Sequence, residues 1–180
     1  RLITVPRERP EVYREAELKN PVEAPLLAGP VDVYVEGSLL TTAGIDHIDR
    51  GGTLRVGMGV EERVRVARNV RTDEETAGLL GGSTAITHHI SIEVSSALGQ
   101  QAALEILERL PVSDDKSVTI ELIAARPEPR EYTQAERGAA VRGGMVWRLL
   151  LPTGGKAKVE YSYRITFPGK TEIVGGNRRD

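Results

Sequence analysis

The chain has 180 residues and a net charge of −2, and it contains no cysteine. Its acidic and basic residues are interspersed, which argues against a nucleic-acid surface, and the lack of cysteine excludes disulfides and thiolate metal sites. The length suffices for one domain with a sizeable core, and no run reaches the roughly 18 consecutive apolar residues of a membrane helix.

Apolar and polar residues alternate with a period of two along most of the chain, as in strands that are buried on one face. The alternation is weakest in the first such segment and clearest in the last. In chain order, the segments are Val12–Leu18, Val31–Val35, Val64–Val70, Ile86–Val94, Val118–Leu122, Met145–Leu151 and Ala157–Phe167.

Short alternating segments separated by glycine and proline predict a mostly β fold. Most connections are too short for crossover helices, so we expect an antiparallel β-sandwich, immunoglobulin-like in style. One domain over residues 1–180 is the simplest organisation. Two packed lobes that meet near residues 73–83 are the alternative.

The segment Ala102–Leu110 fits two kinds of structure. Leu104 and Leu107 recur at helical spacing and Pro111 would end a helix, so local propensity favours a helix over residues 100–110. A strand is the alternative, because Leu104 and Ile106 also alternate with their neighbours. Local sequence does not decide between the two.

Three stretches are predicted to connect strands. Glu108–Lys116 is a polar turn in which Pro111 ends the preceding segment, and its serine and aspartates favour a bend because their side chains bond nearby backbone N–H groups. Asp73–Ser83 is polar and then glycine-rich. Pro127–Gly144 is long and charged, so we expect a mobile excursion, and a short helical turn around Thr133–Arg137 is the alternative.

The candidate metal ligands are His47 and Asp49, which would share one face of an extended segment and supply nitrogen and oxygen ligands. A polar turn before Gly51-Gly52 is the simpler interpretation, since no third ligand is evident. His88 and His89 are adjacent on a predicted strand and point to opposite faces, so they cannot hold one metal together. We expect His88 to be a hydrogen-bonded core residue and His89 a solvated one.

No motif for catalysis or cofactor binding stands out. Gly78–Thr84 is glycine-rich but lacks the lysine of a phosphate-binding loop and precedes a predicted strand. Asp114 and Asp115 are neighbours in a turn, whereas glycosidases hold two carboxylates across a bond. A Ser-His-Asp triad with distant members stays open, although no Gly-x-Ser-x-Gly sequence is present. The residues therefore indicate no cofactor and favour a protein that is not an enzyme.

The aromatic residues divide into two groups. Trp147, Tyr161 and Tyr163 fall on apolar strand faces and are predicted to pack in the core. The remaining tyrosines of interest fall on polar faces or in a loop. The candidates for an exposed binding surface are Tyr13, Tyr34 and Tyr132.

Six motifs carry a family resemblance. They are Glu15–Pro21, Pro25–Tyr34, Gly57–Val66, Glu108–Lys116, Met145–Leu149 and Tyr161–Ile165. Their order and spacing resemble the C-terminal domain of the mucoidy inhibitor (MuiA-like) proteins, with Pro25–Tyr34 and Glu108–Lys116 the most specific. Such proteins place a strand before the Leu110-Pro111 turn, so the resemblance predicts a strand for Ala102–Leu110. It implies no catalytic residues.

The resemblance also implies a place within a longer bacterial protein, with an N-terminal domain and a coiled coil ahead of this one. A first residue of arginine agrees with a fragment of that kind. The family name connects such proteins with suppression of an exopolysaccharide-rich phenotype. The resemblance therefore favours the cell envelope or periplasm over the cytoplasm as the location of the protein.

Three hypotheses for function follow. The first is a non-enzymatic structural or protein-interaction module, which binds a protein partner or self-associates through the rest of the full-length chain. The second is a carbohydrate-binding domain for exopolysaccharide. The third is a hydrolase or metal enzyme that uses His47, Asp49, His88 or His89.

Overall fold

The computed structural model describes residues 1–77 and 82–169. Within them lie twelve strands and one short 3-10 helix, Ala135–Arg137. In chain order the strands are β1 (Leu2–Thr4), β2 (Val12–Lys19), β3 (Gly29–Val35), β4 (Ser38–Ile45), β5 (Thr53–Val60), β6 (Val64–Ala77), β7 (Ser83–Ser96), β8 (Ala102–Arg109), β9 (Thr119–Arg126), β10 (Arg130–Glu131), β11 (Gly144–Leu151) and β12 (Lys156–Pro168). The predicted mostly β fold is confirmed. In the described part of the chain, no helix has the length and apolar character needed to cross a membrane.

Two sheets pack against each other and enclose the hydrophobic core. The larger sheet has the order β10-β11-β8-β1-β2-β5, and the smaller has the order β6-β7-β12-β9. Ile92 and Val159 of the smaller sheet share one cluster with Ile106 and Leu151 of the larger, and all four are 0% exposed. Alternate residues of a strand point to one face, so the apolar residues of each alternating segment form the hydrophobic layer between the two sheets. The predicted β-sandwich is confirmed.

One strand pair departs from the antiparallel prediction. β1 lies between β2 and β8, and it runs antiparallel to β2 but parallel to β8, with Leu2 opposite Leu104. A strand of three residues is too short to show alternation, so the sequence pattern did not reveal it. The larger sheet is therefore mixed.

β8 is the segment for which helix and strand competed, and it is a strand. Leu104 and Ile106 are 1% and 0% exposed, in a strand that lies between β1 and β11. Burial of alternate residues outweighs the helix propensity of alanine, leucine and glutamate. After β8 the chain bends towards β9, and Asp115 accepts hydrogen bonds from the backbone N (2.8 Å) and the hydroxyl (2.7 Å) of Ser117. The predicted turn is confirmed from residue 110 onwards, whereas Glu108 and Arg109 belong to β8.

The β3–β4 hairpin forms a two-stranded sheet of its own. The alternation of Val31, Val33 and Val35 predicts a strand with a buried face, and only the strand is confirmed. Val31 and Val33 are half-buried and Val35 is exposed, because the hairpin lies outside the layer between the two sheets. Alternation alone does not tell whether a second layer covers the apolar face.

The longest hairpin joins β6 and β7, which pair from Val64 opposite Ser96 to Ala77 opposite Ser83. β6 therefore takes up residues 73–77 of the stretch predicted to be a loop, and that part of the prediction is wrong. Cross-strand pairing with β7 outweighs the poor strand propensity of aspartate and glutamate. Residues 78–81, which include most of the glycine-rich sequence and part of the alternative lobe boundary, lie outside the described residues.

The three aromatic residues predicted for the core are buried. Trp147, Tyr161 and Tyr163 are 1%, 2% and 6% exposed. The ring centroids of Trp147 and Tyr161 are 5.4 Å apart, and the indole Nε1 of Trp147 donates a hydrogen bond of 2.7 Å to the Pro127 carbonyl. The core prediction is confirmed for all three.

An ionic group lies inside the sandwich. Arg68 of β6 reaches across to Glu108 of β8, with 2.9 Å between Nε and Oε1, and the two side chains are 10% and 0% exposed. The hydroxyl of Tyr161 donates a hydrogen bond of 2.8 Å to the other oxygen of Glu108. Burial, together with the negative charge of Glu108, raises the pKa of Tyr161, so the hydroxyl keeps its proton. Buried charges of this kind persist only when each has a partner.

We expect Glu108→Ala to lower the free energy of unfolding by about 3–5 kcal/mol, because it leaves the Arg68 guanidinium buried without its counter-charge. Urea denaturation monitored by circular dichroism measures the change. Glu93→Ala is the matched control, since the Glu93 side chain is 62% exposed. It should change the free energy by less than about 1 kcal/mol. Equal losses for the two variants would contradict the role given to Glu108.

Candidate functional site

A cleft opens on the outer face of the larger sheet, the face turned away from the core. Ile3, Tyr13 and Leu107 line it, and each follows a core residue in sequence and so points to the opposite side of its strand. The walls include Leu110–Val112 and the loop of residues 132–141, which we call the cleft loop. The cavity volume is about 940 Å³. This outer cleft has the size of a typical ligand site.

The cleft loop is folded back on the sheet rather than being the mobile excursion that its composition predicts. The Tyr132 N–H donates to the Gly144 carbonyl and the Val141 N–H to the Thr133 carbonyl, both at 2.9 Å. The 3-10 helix Ala135–Arg137 corresponds to the helical turn that was the alternative for this stretch. Position 144 needs glycine, because a Cβ there would overlap the Tyr132 carbonyl oxygen. Long-range backbone contacts therefore give order to a charged segment.

An ion-pair network fixes the cleft loop to the outer face of the sheet. Arg137 of the loop contacts Glu15 of β2 at 2.8 Å, and Arg1 contacts the other oxygen of Glu15 at 2.6 Å. Arg1 also reaches Glu105 of β8 at 3.4 Å, and Arg148 of β11 contacts Glu105 at 2.8 Å. The network thus links strands β11, β8 and β2 with the loop. Connected pairs of this kind hold a geometry better than isolated surface pairs do.

Glu15 is the centre of this network. Its residue is only 9% exposed, and burial alone would raise the pKa of its carboxyl. The hydrogen bonds from Arg1 and Arg137 outweigh that effect and hold the pKa of Glu15 below its usual range. The carboxylate therefore stays charged while it anchors the loop.

Two of the three tyrosines predicted to form a binding surface lie in the outer cleft. Tyr13 and Tyr132 both line it, and both are half-buried. Their hydroxyls donate to carboxylates of their own segments, Tyr13 to Glu11 at 3.2 Å and Tyr132 to Glu136 at 2.8 Å. Tyr34 is 60% exposed but belongs to the β3–β4 hairpin and does not line the cleft.

The rim of the cleft carries charges of both signs. Arg7 donates a hydrogen bond of 3.0 Å to the Arg109 carbonyl, and Arg109 donates one of 2.9 Å to the Arg142 carbonyl. Exposed Glu8 stands at the same rim. A ligand in the cleft would thus meet an apolar floor, two tyrosines and a polar edge, which is the usual make-up of a binding site.

The candidate metal ligands His47 and Asp49 do come together. The His47 Nε2 lies 3.2 Å from the Asp49 carboxylate, and both side chains are largely exposed. Within residues 1–77 and 82–169, no group of three or more His, Cys, Asp or Glu side chains is placed to hold a metal ion. The pair forms a surface contact in the connection between β4 and β5.

The adjacent histidines of β7 differ from their predicted roles. His88 is half-buried rather than in the core; it stacks on Tyr163 with 4.7 Å between ring centroids and contacts the Thr72 hydroxyl at 3.3 Å. His89 is only partly solvated, because it lies 2.8 Å from the Ser162 hydroxyl and 3.1 Å from the Asp73 carboxylate. The strand pairing β6-β7-β12 brings His89, Ser162 and Asp73 together on the outer face of the smaller sheet, whereas His88 points to the opposite face with Tyr163.

The sequence did not reveal several of these residues. Glu108 lies on the same face of its strand as Leu104 and Ile106, and Arg68 on the same face as Val66. A charged residue on each buried face was therefore the sequence signal for a buried ion pair. Contacts such as that between Ser162 and His89 left no signal, because they depend on which strands pair.

These observations define a β-sandwich domain with a cleft on one outer face, covered in part by a folded loop. The chain belongs to the family described as Domain of unknown function (DUF4139), whose model matches residues 3–169. It is also similar to Protein F37C4.5 of Caenorhabditis elegans, with 23% identity over 134 residues. That match covers 74% of this chain and 24% of the relative, so the chain spans about a quarter of the relative's length. No solved structure matches.

We expect the stability provided by Glu15 to depend on pH. A carboxyl whose pKa is lowered by folding contributes stability above its unfolded-state pKa, and the contribution is lost as the pH falls through the folded-state value. Wild type should therefore exceed Glu15→Gln in free energy of unfolding at pH 7, and the difference should shrink below about pH 4.3. Urea denaturation of both proteins at pH 7 and pH 3 measures it. A difference that is the same at both values would contradict the assignment.

Gly144→Ala should loosen the cleft loop, because the new Cβ overlaps the Tyr132 carbonyl and disrupts the backbone contact there. Limited trypsin digestion followed by mass spectrometry should show faster cleavage after Arg137 than in wild type. Gly44→Ala is the control, since a Cβ at that position meets nothing within 4 Å. Unchanged cleavage in Gly144→Ala would contradict the anchoring role of this contact.

Proposed function

We propose that this domain is a non-enzymatic interaction module that holds a segment of a protein partner, or of another part of its own full-length chain, in the outer cleft. The observation that carries the proposal is the cleft itself, a preformed space whose floor and walls offer Ile3, Leu107, Tyr13 and Tyr132. Tyrosine is enriched at protein interfaces because it offers a large apolar surface with a polar tip.

The order of the cleft loop supports a binding role. Association costs less when the contact groups are already held in place. The Arg137–Glu15 pair and the backbone contacts of Tyr132 keep one wall of the cleft in position without a ligand. A partner would therefore meet a shaped surface rather than a loop that must first be ordered.

The mixed charge of the rim favours a partner with both polar and apolar side chains. Arg7, Arg109 and Glu8 surround an apolar floor, an arrangement of polar rim and apolar centre that is common in protein interfaces. The resemblance to mucoidy inhibitor proteins supports a bacterial envelope or periplasmic protein as the place where this module acts. We therefore propose that the module acts in the bacterial envelope or periplasm.

A second candidate function is carbohydrate binding. It is favoured by the placement of Tyr13 and Tyr132 along one cleft, where each keeps part of its side chain accessible. Carbohydrate would use the same side chains as a protein segment. The link between mucoidy inhibitor proteins and exopolysaccharide gives this candidate its substrate class by analogy.

A random-peptide display library and a glycan array distinguish the two candidates. We expect selected peptides with aromatic or apolar anchors to bind, and Tyr13→Ala and Tyr132→Ala each to weaken binding about tenfold or more, as for central aromatic anchors. Isothermal titration calorimetry measures the affinities.

Tyr34→Ala is the matched control, because it removes an exposed tyrosine outside the cleft and should leave the affinity unchanged. Glycan binding that is lost in the two cleft variants would favour the carbohydrate candidate. Peptide binding that survives both of them, or no binding in either format, would contradict the role of the cleft.

A further inference from the structure

Three side chains from three strands meet on the outer face of the smaller sheet. The Ser162 hydroxyl of β12 lies 2.8 Å from Nδ1 of His89 on β7, and Nε2 of His89 lies 3.1 Å from the carboxylate of Asp73 on β6. We propose that Ser162 is an activated nucleophile that accepts an acyl group from carboxylic esters, with His89 as its general base and Asp73 as the residue that positions the imidazole. This inference goes beyond the binding role and concerns the opposite sheet. It involves one acyl transfer per chain without turnover, so the domain remains non-enzymatic.

The two contacts are compatible with the hydrogen-bond directions that activation needs. When the imidazole carries its proton on Nε2, that N–H donates to Asp73 and Nδ1 accepts from the Ser162 O–H. A neutral imidazole with this tautomer can take the serine proton, and the carboxylate stabilises the imidazolium that results. Arg71 contacts the same oxygen of the Asp73 carboxylate, Oδ2, at 3.0 Å. In this group Nδ1 faces the serine, whereas most serine hydrolases use Nε2 for that contact.

The sheet holds this group in place through its register. His89 is directly opposite Ser162 on one side and Arg71 on the other. The pairing of β12 with β9 shifts register between Ser162 and Tyr163. Irregularities of this type interrupt the regular pairing next to many active sites and re-aim a side chain. Here the extra residue is Ile123 of β9, opposite Ser162 and Tyr163 of β12.

A shallow depression of about 470 Å³ lies over Ser162 and His89. Ala124 is the partner of Ser162 on β9, and its small side chain leaves the space open. Asn69 and Arg126 line the same depression and carry N–H donors. Such donors can stabilise the negative oxygen that forms when a carbonyl is attacked. The depression fits the acyl portion of a small ester.

The step balances without a further reagent. Oγ of Ser162 attacks the ester carbonyl carbon as its proton passes to Nδ1 of His89. The bond between the carbonyl carbon and the alcohol oxygen then breaks, and the imidazolium gives the proton to the departing alcohol. The products are an acyl ester on Ser162 and one free alcohol.

A biotin-tagged alkyl fluorophosphonate tests the nucleophile, since it forms a bond from phosphorus to an activated serine and releases fluoride. We expect one adduct per chain, mapped to Ser162 by mass spectrometry, that forms at least about 100-fold faster than in the urea-unfolded chain, in line with the contribution of a general base. Ser162→Ala should abolish it. Ser91→Ala removes a second serine of the same depression and should have no effect.

The roles of His89 and Asp73 have their own readouts. His89→Ala should lose the adduct and regain it when free imidazole is added, which a loss of structure would not allow. Asp73→Ala should slow labelling about tenfold or more, and Asp73→Glu should restore part of the rate, as for a residue that positions the base. Thermal melts of each variant check that folding is intact.

Labelling no faster than in the unfolded chain, or unaffected by His89→Ala, would overturn the proposal. Labelling with p-nitrophenyl acetate extends the test to an ester. One equivalent of p-nitrophenolate per chain, absent in Ser162→Ala, is expected. Peptide or glycan binding in the outer cleft is measured separately, so failure of either proposal leaves the other standing.

Discussion

The contact of Arg68 with Glu108 and Tyr161 inside the sandwich is the constraint on which the rest of the structure depends. Its members come from β6, β8 and β12, so one cluster spans both sheets. A shift of β8 by one residue would turn Glu108 outward and expose its apolar neighbours. The satisfied charge therefore sets which residues of β8 face the core, and by exclusion places Leu107 in the outer cleft. The position of β8 thus determines both the packing between the sheets and the shape of the cleft.

The two outer faces of the sandwich use charge in different ways. On the larger sheet, guanidinium and carboxylate groups alternate from strand to strand and end at Arg137, so electrostatics adds to the backbone hydrogen bonds that hold the cleft loop. On the smaller sheet, the cross-strand neighbours Arg71, His89 and Ser162 form a row that is fixed by backbone pairing alone. The first face carries the proposed binding role, and the second carries the proposed reactive serine.

Much of the fold follows from local pattern, whereas the sites follow from pairing. The alternation of Ala157–Phe167 was enough to predict β12, and that of Ile86–Val94 to predict most of β7. The same evidence could not show that β1 exists or that the β3–β4 hairpin lacks a covering layer. It placed Tyr13 and Tyr132 as binding candidates from their polar surroundings, but not in one cleft, because a separation of more than a hundred residues is closed only by the order of strands in the sheet.

The parallel pairing of β1 with β8 has a consequence for how the larger sheet can open. In the described residues, the strands of the β2–β5 half and the β8–β11 half of that sheet are paired with each other only through Leu2–Thr4, and side-chain ion pairs of Arg1 and Arg137 are the further links. Hydrogen bonds that share so short a strand are lost together when it detaches, and local openings of this kind occur well below the free energy of global unfolding. The six-stranded sheet therefore behaves as two smaller sheets joined by a three-residue seam. Ile3 belongs to this three-residue strand and lines the outer cleft. The floor of the cleft is therefore where the two halves of the sheet would first separate.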